Sequence, residues 1–461
     1  MKSNITDMTQ GSPTGHLLLF SLPMMIGNIF QQAYNLADSI IVGRFVGADA
    51  FAAVGATGSI CFLFFALCNG LGGGGGIVVS QYYGAHDDDN VKRCVVNTGF
   101  IMLLTPILFG VVGFLLAPQL LKLLSTPATI LADAVSYTRY MCVGLLFVSL
   151  YNYVSSMMRA LGDSKTPLYF LIFSTFLNIV LDVVLVVYLS MGITGAALAT
   201  ILSQLVSVIL CGVFAYFTNP YFKPEKRLLS LSGHMCYKII RLGVPMSLQF
   251  GLIAISSMAV QRVVNSFGTV VVAAFTATNR IEQLIHQPYT TLSAALSTYC
   301  GQNFGANRKD RVYSGYRAAL RIMLILTVVL ILGMQFFGKA ITGLFVEDEA
   351  VVALGALGLR ICSLFYFALG LIYVVRGILT GIGDAFFQLF NGLIEVIGRF
   401  TLPILFTSYL GFGQTGIWLS AGVVWVLSGA TAWMRYHSYF RKKLKPEDLI
   451  PPGSEVSPLN F

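Results

Sequence analysis

The chain is patterned as long apolar runs separated by short polar segments. At a rise of about 1.5 Å per residue, each run is long enough to cross a hydrocarbon core of roughly 30 Å as a helix. The pattern predicts an all-α polytopic membrane protein with twelve transmembrane helices, near residues 17–42, 52–79, 94–117, 134–157, 168–190, 193–217, 238–265, 270–298, 316–338, 354–378, 387–409 and 415–438.

The first run carries a polar stripe. Asn28, Gln31, Asn35 and Asp38 follow an i, i+3, i+7, i+10 spacing, which places them on one face of a helix. An ionised carboxylate facing lipid is costly, so this face is expected to line a protein interior or a water-filled cavity. Pro23 in the same run predicts a bend. The alternative interpretation is a polar helix contact with a structural kink.

Composition agrees with a membrane protein. The chain is 56% hydrophobic and 11% charged, and its mean hydropathy is +0.77, far from a soluble domain. The first run is too long for a signal-peptide core and is interpreted as a retained span. Lys and Arg cluster after even-numbered spans, so the positive-inside rule places both termini in the cytoplasm of a multi-pass (inner) membrane protein. The eight cysteines show no metal or redox spacing and are interpreted as small buried hydrophobes.

The sequence contains an internal repeat. SQYYGA at residues 80–85 recurs as GQNFGA at 301–306, and Asp163 recurs as Asp384, both at a step of 221. Two six-span halves that enter from the same side form a parallel repeat, a transporter architecture with the substrate path between the halves. We expect an N-terminal lobe over 1–218, a cytoplasmic linker over 219–237, a C-terminal lobe over 238–445 and a cytoplasmic tail over 446–461.

The intramembrane acids break this repeat. Asp182 corresponds to Pro403 at the step of 221, and Asp38 corresponds to Val260 at the offset of 222 that aligns Pro23 with Pro245. The predicted coupling cluster of the first half is Asp38, Asn178, Asp182 and Thr200. Two close carboxylates would share a proton as a unit, and the same oxygens could instead hold Na⁺. The alternative for each acid is an ion pair with a neighbouring Arg or a hydrogen bond to the backbone.

The second half has charges of opposite sign inside its spans. Glu395 and Arg399 are spaced i, i+4, which predicts a local ion pair, although Glu282 or Glu395 could also line the substrate path. The glycine run at 72–76 predicts close helix packing. It lacks the Lys-Ser/Thr of a nucleotide loop, so an ATP-driven pump is not expected.

Together, LPMMIGNIFQQAYNLADSIIVGRFVG, SQYYGA with GQNFGA, RALGDSKTP with GIGD, and GITGAALAT resemble the multidrug and toxic compound extrusion (MATE) family over residues 12–443, and the DinF-like branch more than the NorM-like one. The resemblance implies V-shaped lobes, H⁺ or Na⁺ antiport and alternating access. Carried over by position, Pro23 is the bend, the coupling cluster is the cation site, and Gln31 and Tyr34 line the cavity. The NorM-like acid of span seven is absent here, where Ser256, Ser257 and Gln261 stand.

The predicted function is therefore antiport rather than enzymatic catalysis: ion-coupled extrusion of amphipathic, often cationic or aromatic compounds. The expected substrate cavity includes Gln31, Tyr34, Asn35, Glu282 and Glu395. No cofactor is expected beyond the coupling H⁺ or Na⁺; the expected partners are substrate, cation and membrane lipid, without nucleic acid, for a monomer. The main alternative is a flippase or exporter of a lipid-linked or anionic metabolite, for which Arg44, Arg262, Arg280 and Arg399 are scattered. A non-transporting receptor or scaffold is a third reading.

Overall fold

The computed structural model describes residues 4–124, 126–223 and 225–443, which form helices joined by short turns and loops, without any strand. The predicted all-α fold is confirmed. The helices are α1 Pro13–Phe45, α2 Ala48–Gly84, α3 Asp88–Leu123, α4 Ala128–Ala160, α5 Lys165–Asp182, α6 Gly192–Thr218, α7 Gly233–Asn265, α8 Thr269–Gly305, α9 Lys309–Gly343, α10 Glu349–Ser363, α11 Tyr366–Gly381, α12 Ala385–Ile404 and α13 Gly416–Lys443.

Among the described residues, nine helices are long and apolar enough to span a membrane, and α10 with α11 forms a tenth, bent span. The remaining long helices, α1 and α8, have 33 and 37 residues. Each of them carries an acid and several amides within its apolar run, with Asp38 in α1 and Glu282 in α8. All twelve predicted spans thus fall on helices, and the twelve-span arrangement is consistent with the structure.

The chain divides into two compact units. The first comprises Met1–Asp7 and Leu22–Gly251, and the second comprises Met8–Ser21 and Leu252–Phe461. Helices α1 and α7 are therefore each shared, and α1 changes unit one residue before Pro23. Residues 219–237 belong to the first unit. The lobe boundaries drawn from the sequence stay a prediction, and the tail at 446–461 lies outside the described residues.

The backbone repeats at the same step as the sequence. Residues with positive φ recur 221 positions apart: Gly47 (117°) with Gly268 (88°), His86 (54°) with Asn307 (55°), Gly162 (86°) with Gly383 (91°), Ser190 (52°) with Gly411 (71°), and Gly192 (59°) with Gly413 (55°). Positive φ is rare outside glycine. Five such pairs at one offset show that both halves turn at matching points.

One span departs from its predicted form. The run at 354–378 was expected to be one helix, but α10 and α11 meet at an angle of 53°. Its counterpart in the first half, α4, is a single helix of 33 residues. The sequence at the break has neither Gly nor Pro. At the break the Phe365 ring packs directly on α13, where a Cβ on Gly422 would come within 2.1 Å of it.

The glycine run of α2 packs against three helices of the first unit. A Cβ added at Gly74 would lie 2.6 Å from the Gly243 nitrogen on α7, and one at Gly75 would lie 2.4 Å from Thr98 on α3. A Cβ at Gly76 would lie 2.8 Å from the Ser156 hydroxyl on α4. These approaches confirm the packing interpretation of the run.

The segment after α6 is held on the start of α3. Asp87 caps α3 by accepting from the Asn90 amide at 3.2 Å, as expected of a helix cap. Arg227 forms a two-pronged ion pair with Asp89 at 2.7 and 2.8 Å, and Lys92 pairs with Glu225. Asp87 thus caps α3, while Asp89 and Lys92 anchor the segment that carries Glu225 and Arg227.

Candidate functional site

The first unit encloses a cavity of about 650 Å³, here called the first cavity. It lies among α1, α2, α4, α5 and α6. The polar stripe of α1 faces it, because Asn28, Gln31, Asn35 and Asp38 all line it. Gly27, on the same helix, lets α1 approach α5: a Cβ there would lie 3.3 Å from Leu171. The helical spacing of the stripe therefore predicted the cavity-facing side of α1.

The predicted cluster residues on α1 and α6 meet at one end of this cavity. The Tyr34 hydroxyl and the Thr200 hydroxyl are hydrogen-bonded at 3.0 Å, and both line the cavity beside Asp38. Asp38 is 9% exposed, and its Oδ1 has no hydrogen-bond partner in the described part of the chain. The carboxylate is therefore desolvated yet reachable from the cavity.

Asn178 and Asp182 lie behind this wall. Both are 0% exposed and neither lines the cavity. Within the described ranges, both carboxylate oxygens of Asp182 and both side-chain atoms of Asn178 lack a hydrogen-bond partner. Asp38 and Asp182 are close enough to interact electrostatically. Buried polar groups are nearly always paired, so this cluster has open bonding capacity.

The donor set suits a small hard ion. Two carboxylates, one amide and one hydroxyl supply oxygen ligands of the type that Na⁺-like cations prefer, and the carboxylates can also accept protons. No group of three or more His, Cys, Asp or Glu that could hold a metal ion occurs among the described residues. The ion-pair alternative for the acids is absent too, since neither Asp38 nor Asp182 has a basic partner within the described residues.

Sequence reasoning missed one charged residue of the first cavity. Arg159, in the last turn of α4, lines it together with Ser164 at the start of α5. Its position at a span end made it part of the loop charges counted for topology. The available signal was a basic residue within the last turn of a span. Other spans also have a basic residue near an end, so this signal alone does not single out Arg159.

The second unit has a smaller cavity of about 160 Å³, here called the second cavity. Glu282 lines it and accepts a hydrogen bond from the Tyr366 hydroxyl at 2.8 Å. Its other oxygen lies 3.9 Å from His286 Nε2. Trp418 and Trp425 form apolar walls. Glu282 is thus placed on a cavity, but not on the one that contains the coupling cluster.

Glu395 is placed differently from its prediction as a cavity residue. It is 5% exposed and does not line either described cavity. The expected partner Arg399 stands at 3.9 Å, whereas Arg376 on α11 bonds to Glu395 at 2.5 Å. Arg376 also donates to Asn391 at 2.8 Å. The ion pair therefore joins two helices, and Arg376, which spacing along one helix could not reveal, is its main partner.

An all-α chain with many spans, a duplicated backbone and a polar cavity within a helical unit has the architecture of a secondary membrane transporter. Comparison with known proteins agrees. The MatE family model matches residues 23–184 and 245–402, and the chain belongs to this family of multidrug efflux transporters. The branch within the family stays a prediction.

Named relatives cover nearly the whole chain. The probable multidrug resistance protein YpnP of Bacillus subtilis (strain 168) is 34% identical over 443 residues, which are 95% of this chain and 97% of YpnP. The multidrug export protein MepA of Staphylococcus aureus (strain N315) is 22% identical over 408 residues, covering 87% and 88%.

Solved structures share the fold. A MOP superfamily transporter from Pyrococcus furiosus aligns with a TM-score of 0.88 at 24% identity, over 96% of this chain and 100% of that one. A MATE transporter in the straight conformation aligns with a TM-score of 0.89 at 24% identity and the same coverage. One in the bent conformation aligns at 0.88 over 94% and 98%, also at 24% identity.

Proposed function

We propose that the protein exports amphipathic, often cationic compounds in exchange for H⁺ or Na⁺, with the coupling cluster as the cation site. The observation that carries the proposal is the cluster itself: Asp38 on the first cavity, with Asn178 and Asp182 buried behind it and unpaired in the described chain. Relatives named as multidrug resistance or export proteins support the substrate class. We further propose an inner-membrane location with both termini cytoplasmic.

Coupling follows from competition for one charge. A proton or Na⁺ on Asp38 removes the negative partner of a cationic substrate in the first cavity. Each ligand then favours a different state of the protein, and a ligand shifts a conformational equilibrium only by its differential affinity for the two states. The hydrogen-bonded pair of Tyr34 and Thr200 spans α1 and α6 beside Asp38, so ion binding there acts directly on the position of α1.

The test is the substitution Asp38→Asn. It keeps the size of the side chain but removes the charge, so we expect ion-driven efflux of a cationic dye from proteoliposomes to fall to background. Asp49→Asn is the matched control, since Asp49 is exposed in the first turn of α2, and it should transport like the wild type. Gel filtration establishes that both variants remain folded. Full efflux by Asp38→Asn would contradict the proposal.

The second unit is assigned no coupling role here. Glu282 has a tyrosine hydroxyl on one oxygen and a histidine near the other, and Glu395 is neutralised by Arg376. In the described chain both oxygens of Asp182 lack a hydrogen-bond partner, whereas Glu282 has one such oxygen and Glu395 has none. The scattered arginines named for a flippase also do not converge, because of that set only Arg399 lines a described cavity.

A further inference from the structure

The first cavity is charged at both ends. Asp38 and Arg159 are the charged side chains among its described lining residues. Asp182, which interacts with Asp38, ends α5, whereas Ser164 beside Arg159 precedes it. Helix α5 has 18 residues, so at about 1.5 Å per residue the two ends lie roughly 27 Å apart. One small molecule cannot contact both charges, so the ends are separate subsites.

Arg159 has no partner inside the protein. Its guanidinium forms neither an ion pair nor a hydrogen bond within the described ranges. The acid nearest in sequence, Asp163, is committed elsewhere: it accepts from the Lys165 and Thr166 amides at 3.1 and 3.0 Å and from the Thr166 hydroxyl at 2.6 Å. A partly buried guanidinium with five unused donors is costly unless it meets an anion.

The favourable effect of a cation at the C-terminal end of a helix is the simpler explanation for Arg159. This effect explains why a positive charge stands at the end of α4, but it does not explain why the side chain lines the cavity. A cation that stabilised only the last carbonyls of α4 would form hydrogen bonds to them. No such bond forms, and the side chain lines the cavity.

The residues around Arg159 indicate which kind of anionic ligand would fit this end of the cavity. Ser164 lines the same end and is 5% exposed, and its hydroxyl makes no hydrogen bond among the described residues. Apolar side chains continue from there along the cavity: Met24, Val148, Pro167, Leu168 and Leu171. A guanidinium fork matches a planar carboxylate with two parallel hydrogen bonds, and the apolar wall matches a hydrocarbon body.

We propose that Arg159 and Ser164 form an anion subsite at this end of the first cavity, which takes the head of an amphipathic carboxylate. Such a compound would bind with its apolar part along Leu168 and Leu171. The substrate range then includes organic acids and zwitterions besides cations. The inference rests on the proposed role of the first cavity in substrate binding, but it requires no ion coupling.

Equilibrium binding tests the subsite. The probe is dansyl-aminoundecanoate, followed by fluorescence with purified protein in nanodiscs, and its methyl ester is the uncharged twin. Removal of a charge-assisted bidentate contact predicts that Arg159→Gln weakens binding of the acid by about tenfold or more. The ester should bind the wild type and Arg159→Gln alike. Arg159→Lys, which keeps the charge without the fork, should fall between them.

Lys165→Gln is the matched control. Lys165 is an exposed base at the same end of the unit that does not line the cavity, so its loss removes the same charge and should leave the affinity for the acid unchanged. Equal losses for both variants would overturn the subsite, since a diffuse surface charge would then suffice. So would equal affinity of the wild type for acid and ester, or displacement of the probe by millimolar inorganic phosphate alone.

The outcome is separable from that of the proposed function. Binding is measured without an ion gradient, so the affinities of the wild type, Arg159→Gln and Lys165→Gln for the acid can be determined whether or not a gradient drives efflux. Intact carboxylate binding with failed coupling, or the reverse, would therefore identify which inference is wrong. If Arg159→Gln does not fold, Arg159→Lys against Lys165→Gln decides the matter by the same comparison.

Discussion

The buried acids of this protein differ in whether their surroundings provide a hydrogen-bond or ion-pair partner. Asp182 is fully buried with both oxygens unpaired among the described residues, whereas Glu395, nearly as buried, is tied to Arg376 and Ser428. A buried charge that loses its only partner costs about 3–5 kcal/mol. Two acids of similar burial thus differ in their partners: Glu395 is paired with a base within the fold, whereas Asp182 has no partner among the described residues.

Close packing at Gly74 gives a prediction at the same scale. Its Cβ would meet the Gly243 backbone at 2.6 Å and the Ile239 carbonyl at 2.7 Å. Neither neighbour is a side chain that can rotate away, so we expect Gly74→Ala to destabilise the protein by about 1–3 kcal/mol through overpacking. A lower melting temperature in detergent would measure it.

Gly58→Ala is the control for this prediction. Gly58 lies on the same helix, is exposed, and has nothing within 4 Å of an added Cβ. Alanine is the better helix former by about 1 kcal/mol, so its melting temperature should stay equal or rise. Equal melting temperatures for Gly74→Ala and the wild type would show that α2 and α7 do not pack as described.

At the scale of elements, features that recur in both halves can be distinguished from features that occur in one half. Asp182 is followed by a π-helical turn, Val183–Tyr188, a feature often found at functional sites. Leu405–Tyr409 is π-helical as well, and the Leu189–Val184 and Leu410–Leu405 backbone bonds, both 2.9 Å, are 221 positions apart. The turn therefore belongs to the shared scaffold, as does the proline of α1 with its counterpart Pro245. Asp38 and Asp182, by contrast, have no acid at the corresponding positions of the second half.

The anchored segment after α6 provides a prediction for an element. Hydrogen bonds from Lys92 and Arg227 hold the pKa of Glu225 below its usual range. We expect Glu225→Gln to release residues 225–228, with faster tryptic cleavage after Arg227 at neutral pH. Glu347→Gln, a change in another exposed loop, should leave that cleavage unchanged. If Glu225→Gln also leaves it unchanged, the assignment of Glu225 as an anchor is wrong.

The pH dependence of this anchor has a definite sign. Because the folded pKa of Glu225 lies below the unfolded value, the ion pairs contribute fully above about pH 4.3, the ordinary glutamate pKa. Their contribution is lost as the pH falls through the lower, folded value. Hydrogen exchange of residues 225–228, corrected for its intrinsic pH dependence, should therefore stay constant from pH 7 to about pH 5 and rise only in stronger acid.

At the scale of the whole molecule, the identity of the coupling ion can be determined by transport measurements under imposed ion gradients. Proteoliposomes with an imposed pH gradient and others with an imposed Na⁺ gradient should show dye efflux in one case or both, and Asp38→Asn should abolish each. If neither gradient drives efflux while membrane insertion is intact, ion-coupled export is wrong for this chain. A cell-wall precursor assay in parallel would then test the flippase alternative.

Much of the fold was predictable because the membrane restricts the options. A continuous apolar run of this length crosses lipid only as a helix, so composition and run length determined the all-α class and the span positions. The repeat was visible in motifs that recur at a step of 221. The helical period determined which face of α1 lines a cavity. The break between α10 and α11 was not predictable, because the sequence there has no local signal such as Gly or Pro.

The sequence by itself thus determined the class, the duplication and the asymmetry of the acids, because each follows from period, spacing or a fixed offset along the chain. The tertiary structure alone decided which polar groups pair. It joined Glu395 to Arg376 nineteen residues away, paired Tyr34 with Thr200, and left Asp182 and Arg159 without partners in the described chain. Pairing depends on distances between helices, and those are set by packing that no single helix encodes.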